Sequence, residues 1–221
     1  MFGSSEKLLH PTLKERVESY GFATLRPAQR KALDAGLLAR ENVLVCTPTA
    51  SGKTLIAEMA MLNTLLYEGG KALYIVPLRA LASEKFRQFT QRYSDLVTVA
   101  LSSSDVDAVD RQLADYDIIV LTSEKLDALM RHEVEWLAQV KVVVVDEIHL
   151  LNDVSRGPTL EIVITRLRQA VNPQILGLSA TIGNPDQLAS WLEAQLVEDD
   201  WRPVELKKGI MLGSEIEYYE P

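Results

Sequence analysis

The sequence has a single cysteine among 221 residues, Cys46, so no disulfide can close within the chain. A lone thiol inside an apolar run reads as a small core residue of a protein kept under reducing conditions, not as a nucleophile. No stretch of about 18 consecutive apolar residues occurs and the N-terminal region lacks a hydrophobic signal core, which predicts a cytoplasmic protein with no membrane partner. Internal repeats, low-complexity tracts and linkers rich in Gly, Ser or Pro are also missing, leaving one compact unit. Positive charge is in deficit: 23 Lys and Arg face 31 Asp and Glu, a formal net charge of -8. That balance excludes a chain that coats nucleic acid through bulk electrostatics, but not one with a local path for a strand. His10 and His132 have no cysteine neighbours at metal-ligand spacing. With 47% hydrophobic and 24% charged residues, 11 Gly and 9 Pro, the composition also excludes collagen, coiled coil and disordered tails.

Six strand-sized apolar runs organise the chain: 43–46, 72–76, 97–101, 118–121, 142–145 and 175–178. They are continuous rather than alternating, the pattern of strands covered on both faces. Between them lie segments of helical period, such as Leu160, Val163, Ile164, Leu167 and Val171, or Leu188, Trp191 and Leu192. Parallel strands need crossover connections, so this alternation predicts an α/β fold with a doubly wound parallel sheet and helices on both faces. Trp191, on an apolar helical face, reads as core. Polar or charged residues follow every run, at 47–54, 77–79, 102–105, 122–123, 146–147 and 179–181. Ligands of open α/β sheets bind outside the carboxyl ends of the strands, so the chemistry is expected where these loops converge.

Two of those loops have the form of a phosphate site. Residues 47–54 read Thr-Pro-Thr-Ala-Ser-Gly-Lys-Thr and open a helix through Leu55, Ile56 and Ala57, the context of a P-loop. Amides of Thr49, Ala50, Ser51 and Gly52 and the helix N-terminus would hold phosphate oxygens, Lys53 would reach the β and γ phosphates, and Thr54 would bind Mg2+. Thr47 stands where the common pattern has its first glycine. After the fifth run comes Asp146-Glu147-Ile148-His149. Carboxylates at the end of a buried strand need a cation or a water network; Asp146 would hold Mg2+ through a water, and Glu147 would act as general base on the attacking water. Taken singly, each loop also fits a plainer reading: a chance Gly-Lys-Thr, or a strand that ends in solvated acids.

The set of loops resembles the first motor domain of superfamily-two nucleic-acid helicases of the DEAD/H-box type. Leu25-Arg26-Pro27-Ala28-Gln29 resembles the upstream element whose glutamine reads adenine, and residues 47–54 resemble Walker A. Pro77-Leu78-Arg79-Ala80-Leu81-Ala82 and Thr122-Ser123-Glu124-Lys125 resemble strand-binding motifs. Asp146 to His149 matches the DExH form of Walker B, and Ser179-Ala180-Thr181 the motif that couples nucleotide state to strand grip. The resemblance implies a RecA-like fold of the P-loop NTPase type, ATP and Mg2+ as cofactors, strand contacts at Pro77, Arg79, Thr122, Ser123 and Lys125, and a coupling role for His149, Ser179 and Thr181.

Within that superfamily, Asp146 to Leu150, the run Arg156-Gly157-Pro158-Thr159-Leu160-Glu161 and Asp200-Trp201-Arg202-Pro203-Val204 are most similar to archaeal DNA repair helicases. These are akin to the superkiller RNA helicases and the helicase part of DNA polymerase theta. The implied activity is ATP-dependent unwinding, 3′ to 5′, on single-stranded or forked DNA, with RNA as the alternative strand. The motor domain is expected over 21–208, between segments 1–20 and 209–221 that carry no motif. No counterpart of the second motor domain, with its arginine finger, is found, so a second RecA-like domain is an expected partner in a longer chain. Ser103-Ser104-Asp105 departs from the threonine-glycine-aspartate step of relatives, which puts one backbone contact to the strand in question.

Plainer assignments stand beside these. Arg79 and Lys125 fit solvated cations near strand ends, Ser179 and Thr181 a turn that caps the helix starting at Asn184-Pro185-Asp186, and the P-loop a non-catalytic module in which nucleotide only stabilises the fold. A small-molecule P-loop kinase would leave Pro77 to Ala82 and Ser179 to Thr181 unexplained.

Overall fold

Valine-, isoleucine- and leucine-rich runs form seven strands: β1 (Val43–Cys46), β2 (Lys71–Val76), β3 (Val99–Ser102), β4 (Ile118–Thr122), β5 (Val140–Asp146), β6 (Gln174–Ser179) and β7 (Gln195–Glu198). The computed structural model describes residues 8–20, 24–102, 112–204, 207–213 and 215–219. All seven strands pair in parallel, in the order β3-β4-β2-β5-β6-β1-β7. Among the described residues the α-helices are α1 (Pro11–Ser19), α2 (Pro27–Asp34), α3 (Lys53–Glu68), α4 (Arg79–Tyr93), α5 (Ser123–Arg131), α6 (Gly157–Ala170) and α7 (Pro185–Leu192).

Strand residues alternate between two cores. Val43, Val45, Val142 and Val144 join Ile56 and Met59 of α3 and Phe89 of α4 on one face, whereas Leu44, Cys46, Val143 and Val145 join Leu126 of α5, Val163 of α6 and Leu192 of α7 on the other. The predicted doubly wound sheet is therefore present. Helix α3 is buried from Leu55 through Leu65, because it lies over the middle of the sheet rather than at its margin.

Three features differ from the sequence reading. Strand β7 is not one of the six apolar runs: in Gln195-Leu196-Val197-Glu198 only Val197 is fully buried, with Leu196 half-buried against the other core, as an edge strand beside β1 can be. Beyond the sheet, β8 (Lys208–Leu212) and β9 (Glu215–Tyr219) pair as an antiparallel hairpin in a stretch where the sequence shows no motif. Trp191 sits at the edge of the core and not within it: half-buried, it packs against the second core beside Ala189 and Leu192 and also lines a cavity of about 300 Å³ with His149 and Glu161. Among the described residues no helix is long and apolar enough to cross a membrane.

Candidate nucleotide and strand site

The loop between β1 and α3 is held by contacts that its sequence makes possible. Ala50 and Gly52 adopt positive φ, +63° and +97°, and α3 starts at Lys53. The first amides of a helix have no intrahelical acceptor, so this turn presents donors outward. Thr47, which replaces the first glycine of the common pattern, bonds through its hydroxyl to Ser51 Oγ at 2.7 Å and donates its N–H to the Ser179 carbonyl on β6 at 3.2 Å. Thr49 and Ala50 form the exposed rim. The Lys53 ammonium donates to the carbonyls of Thr47 and Pro48, at 2.7 and 3.1 Å.

Arg26 and Gln29 brace this loop from α2. Gln29 is fully buried; its Nε2 donates to the Gly52 carbonyl at 3.1 Å and its Oε1 accepts from the Arg26 N–H at 2.9 Å. A side chain at Gly52 would overlap the Gln29 amide, so this glycine serves a close approach as well as a left-handed turn. The Arg26 guanidinium donates to the Ala50 carbonyl at 2.6 Å and stacks 5.3 Å from the centre of the Trp201 ring.

Strand β5, two places from β1, delivers the acidic pair. Asp146 accepts from the Tyr74 hydroxyl at 2.8 Å and from the Glu147 N–H at 3.1 Å. Glu147 takes a left-handed φ of +55° that turns the chain out of the strand. Burial holds Lys53 below its ordinary basicity, and the charges of Glu147 and Asp146 act against that shift. Thr54 Oγ1 accepts from Lys85 Nζ at 2.9 Å. The hydroxyl of Thr54 and the carboxylate of Asp146 make an all-oxygen donor set, which suits Mg2+. His149 Nδ1 lies 3.4 Å from Glu147 Oε2 and 3.4 Å from Ser179 Oγ, joining the acidic turn to the end of β6. Thr181 is exposed two residues further on, and Asn184, the N-cap of α7, makes no side-chain capping bond.

The proposed strand path gathers at the ends of β2 and β4, which are neighbours and pair as far as Val76 and Thr122. Pro77 follows β2, Arg79 opens α4 and Ser123 opens α5, so two helix N-termini lie side by side. Arg79 is exposed and Lys125 half-buried, but Thr122 and Ser123 are buried, and Thr122 Oγ1 caps α5 by accepting from the Lys125 N–H at 3.4 Å. Their hydroxyls build the end of the sheet more than its surface. Ser103, Ser104 and Asp105 lie outside the described residues. Tyr74, Lys85 and Trp201, which touch the site, carry no signal of it in the sequence; each lies far along the chain from the group it meets.

A family model for the DEAD/DEAH box helicase matches residues 26–188. The chain is 54% identical over 205 residues to the ATP-dependent DNA helicase Hel308 of Methanococcus vannielii, covering 90% of this chain and 27% of that protein. To Hel308 of Pyrococcus horikoshii it is 52% identical over 198 residues, with the same coverage of 90% and 27%. It therefore spans about a quarter of the length of these curated relatives. Among solved structures, Mycobacterium smegmatis helicase Lhr bound to ssDNA and AMP-PNP superposes with TM-score 0.78 at 28% identity, covering 89% of this chain and 28% of that one. The DUF1998 helicase MrfA bound to DNA and AMPPNP gives 0.78 at 25% identity, covering 90% and 30%. The match runs from the Arg26–Gln29 brace through the P-loop and the Asp146–Glu147 turn to α7, and with that span this chain belongs to the DEAD/DEAH box helicase family.

Proposed function

We propose that this chain is the first motor domain of an ATP-dependent DNA helicase that moves 3′ to 5′, holding ATP and Mg2+ between the ends of β1 and β5 and one strand of single-stranded or forked DNA across the ends of β2 and β4. The observation that carries the reading is that the P-loop and the acidic turn meet at one residue: the Thr47 N–H donates to the Ser179 carbonyl, and His149 lies between Glu147 and the Ser179 hydroxyl. The amides at the start of α3 and the Lys53 ammonium would take the terminal phosphates once Lys53 leaves the Thr47 and Pro48 carbonyls. Thr54 and Asp146 would hold Mg2+, which when bound neutralises phosphate charge. Tyr74 fixes the Asp146 carboxylate, and the Glu147 carboxylate accepts a proton from the attacking water. His149 lies between Glu147 and Ser179, so a shift at the hydrolytic acid is felt at the neighbouring strand end.

The names of the Hel308 relatives and the DNA in the Lhr and MrfA structures favour DNA over RNA. The site is one half of a shared one: a missing arginine finger costs on the order of 10³ to 10⁵ in rate, so a second motor domain completes it. The test is ATP hydrolysis by the longer protein with both motor domains, with single-stranded DNA, with RNA of the same sequence, and with neither. DNA should stimulate turnover, and Glu147→Gln should abolish it while ADP still binds. Stimulation by RNA alone, or turnover that survives Glu147→Gln, would reject the assignment.

A further inference from the structure

Helices α3 and α4 are joined by a ladder of polar side chains that begins at Thr54. Thr54 and Glu58 are four residues apart on one face of α3; Lys85, Gln88 and Arg92 follow one another at helical spacing on the facing side of α4. Glu58, almost wholly buried, accepts from Gln88 Nε2 at 3.2 Å, Arg92 Nη1 at 2.8 Å and the Tyr93 hydroxyl at 2.9 Å. Those three donors account for the buried carboxylate without Lys85. The Lys85 ammonium instead donates to Thr54 Oγ1 at 2.9 Å and lies 5.9 Å from the centre of the Tyr74 ring, whose hydroxyl donates to Asp146. A fixed cation thus stands on the hydroxyl assigned to the metal, beside the tyrosine that orients the carboxylate assigned to the metal.

We propose that Lys85 is a positioning residue that competes with Mg2+ for Thr54: its ammonium holds the Thr54 hydroxyl and must withdraw before that oxygen can ligate the metal. The inference rests on the nucleotide reading above. Thr54 Oγ1 has two lone pairs, one of which takes the ammonium; a metal on the other would sit against a second cation, and two cations on one hydroxyl repel. The ladder keeps α4 seated on α3 while the ammonium moves.

The experiment is calorimetric titration of the chain with ADP at a series of Mg2+ concentrations, for the parent protein, Lys85→Met and Lys85→Arg. Breaking a charge-assisted hydrogen bond is a cost on metal binding that the methionine variant does not bear, so its Mg2+ concentration for half-maximal effect should fall about tenfold. ADP affinity without metal should stay unchanged, and Lys85→Arg should keep the parent's metal requirement. An unchanged or increased Mg2+ requirement in Lys85→Met, or a loss of metal-free ADP affinity, would overturn the proposal and leave Lys85 a structural residue. If Lys85→Met does not fold, Lys85→Gln answers the same question, and thermal melting reports which variant to use. Failure of the nucleotide reading looks different: the parent would then not bind ADP, or would bind it equally well after Lys53→Ala.

Discussion

The Gln29 side chain spans the gap between α2 and the P-loop, donating to the Gly52 carbonyl at 3.1 Å while accepting from the Arg26 N–H at 2.9 Å. One oxygen and one N–H of the amide are thereby committed to the fold. The glutamine that the family resemblance assigns to adenine is first of all a brace for the turn proposed to bind phosphate.

Gln29→Leu removes both bonds from a fully buried position and leaves the Gly52 carbonyl and the Arg26 N–H to find new partners. We expect a loss of about 1–3 kcal/mol in stability, read from denaturant unfolding. Because a brace acts on phosphate binding, affinities for ADP and GDP should fall together. A loss confined to ADP would show that the amide's main work is at the base.

The parts of this architecture legible in the sequence are those in which neighbours in the chain act together. A buried strand followed by Gly52-Lys53-Thr54, or by Asp146-Glu147, carries both its position and its chemistry within a few residues. Contacts made across the chain left no such trace. Lys85 meets Thr54 over 31 residues and Arg26 meets Ala50 over 24, and in neither case does local pattern set the pairing. Strand β7 leaves little pattern because an edge strand needs few apolar residues, and Val197 on one face with half-buried Leu196 on the other supplies them. At Thr122 and Ser123 the residue types suggested a polar surface, but α5 starts directly at the end of β4, so capping claims one hydroxyl and burial both.

Cys46 gives a pH-dependent prediction. Burial, followed by the nearby charge of Glu198, pushes its thiol up to about 11. A group whose pKa is raised by folding contributes stability that is fully present below its unfolded pKa and is lost as pH rises through the folded one. Stability should therefore decline between about pH 9 and 11 by up to roughly 2–3 kcal/mol from this group. Cys46→Ala should flatten that segment of the curve, and alkylation of the native parent at pH 8 should be far slower than that of the unfolded chain.

Gly157 opens α6 immediately after the turn that carries Glu147 and His149. Asp153 organises the approach, its carboxylate accepting from the Ser155 hydroxyl at 2.8 Å and from the N–H groups of Arg156 and Ser155 at 2.9 Å each, which together hold it below the usual carboxylate range. The Gly157 N–H then donates to the Asp153 carbonyl at 2.8 Å, and a β-carbon on Gly157 would fall on the Leu151 carbonyl oxygen. Backbone cannot yield as a flexible side chain can. Gly157→Ala should cost about 1–3 kcal/mol and lower the melting temperature by several degrees. A melting temperature equal to the parent's would mean that α6 can start elsewhere.

The last prediction concerns the strand. The chain has a formal charge of -8, and the cations placed on the path are Arg79 and Lys125, beside the N-termini of α4 and α5. Helix N-termini contribute partial charge only, so the number of phosphates neutralised is small. Each neutralised phosphate of a single strand contributes a slope of about -0.7 in log affinity against log salt, so two or three contacts give a slope no steeper than about -2. The 221-residue chain should bind a single-stranded DNA oligomer weakly with that shallow dependence, and fluorescence anisotropy across a salt series would measure it. Arg79→Ala should lower the slope by about one phosphate's share. Tight binding with a steep slope would show that this chain alone holds a complete strand groove, and the division of the strand between two motor domains would then have to be abandoned.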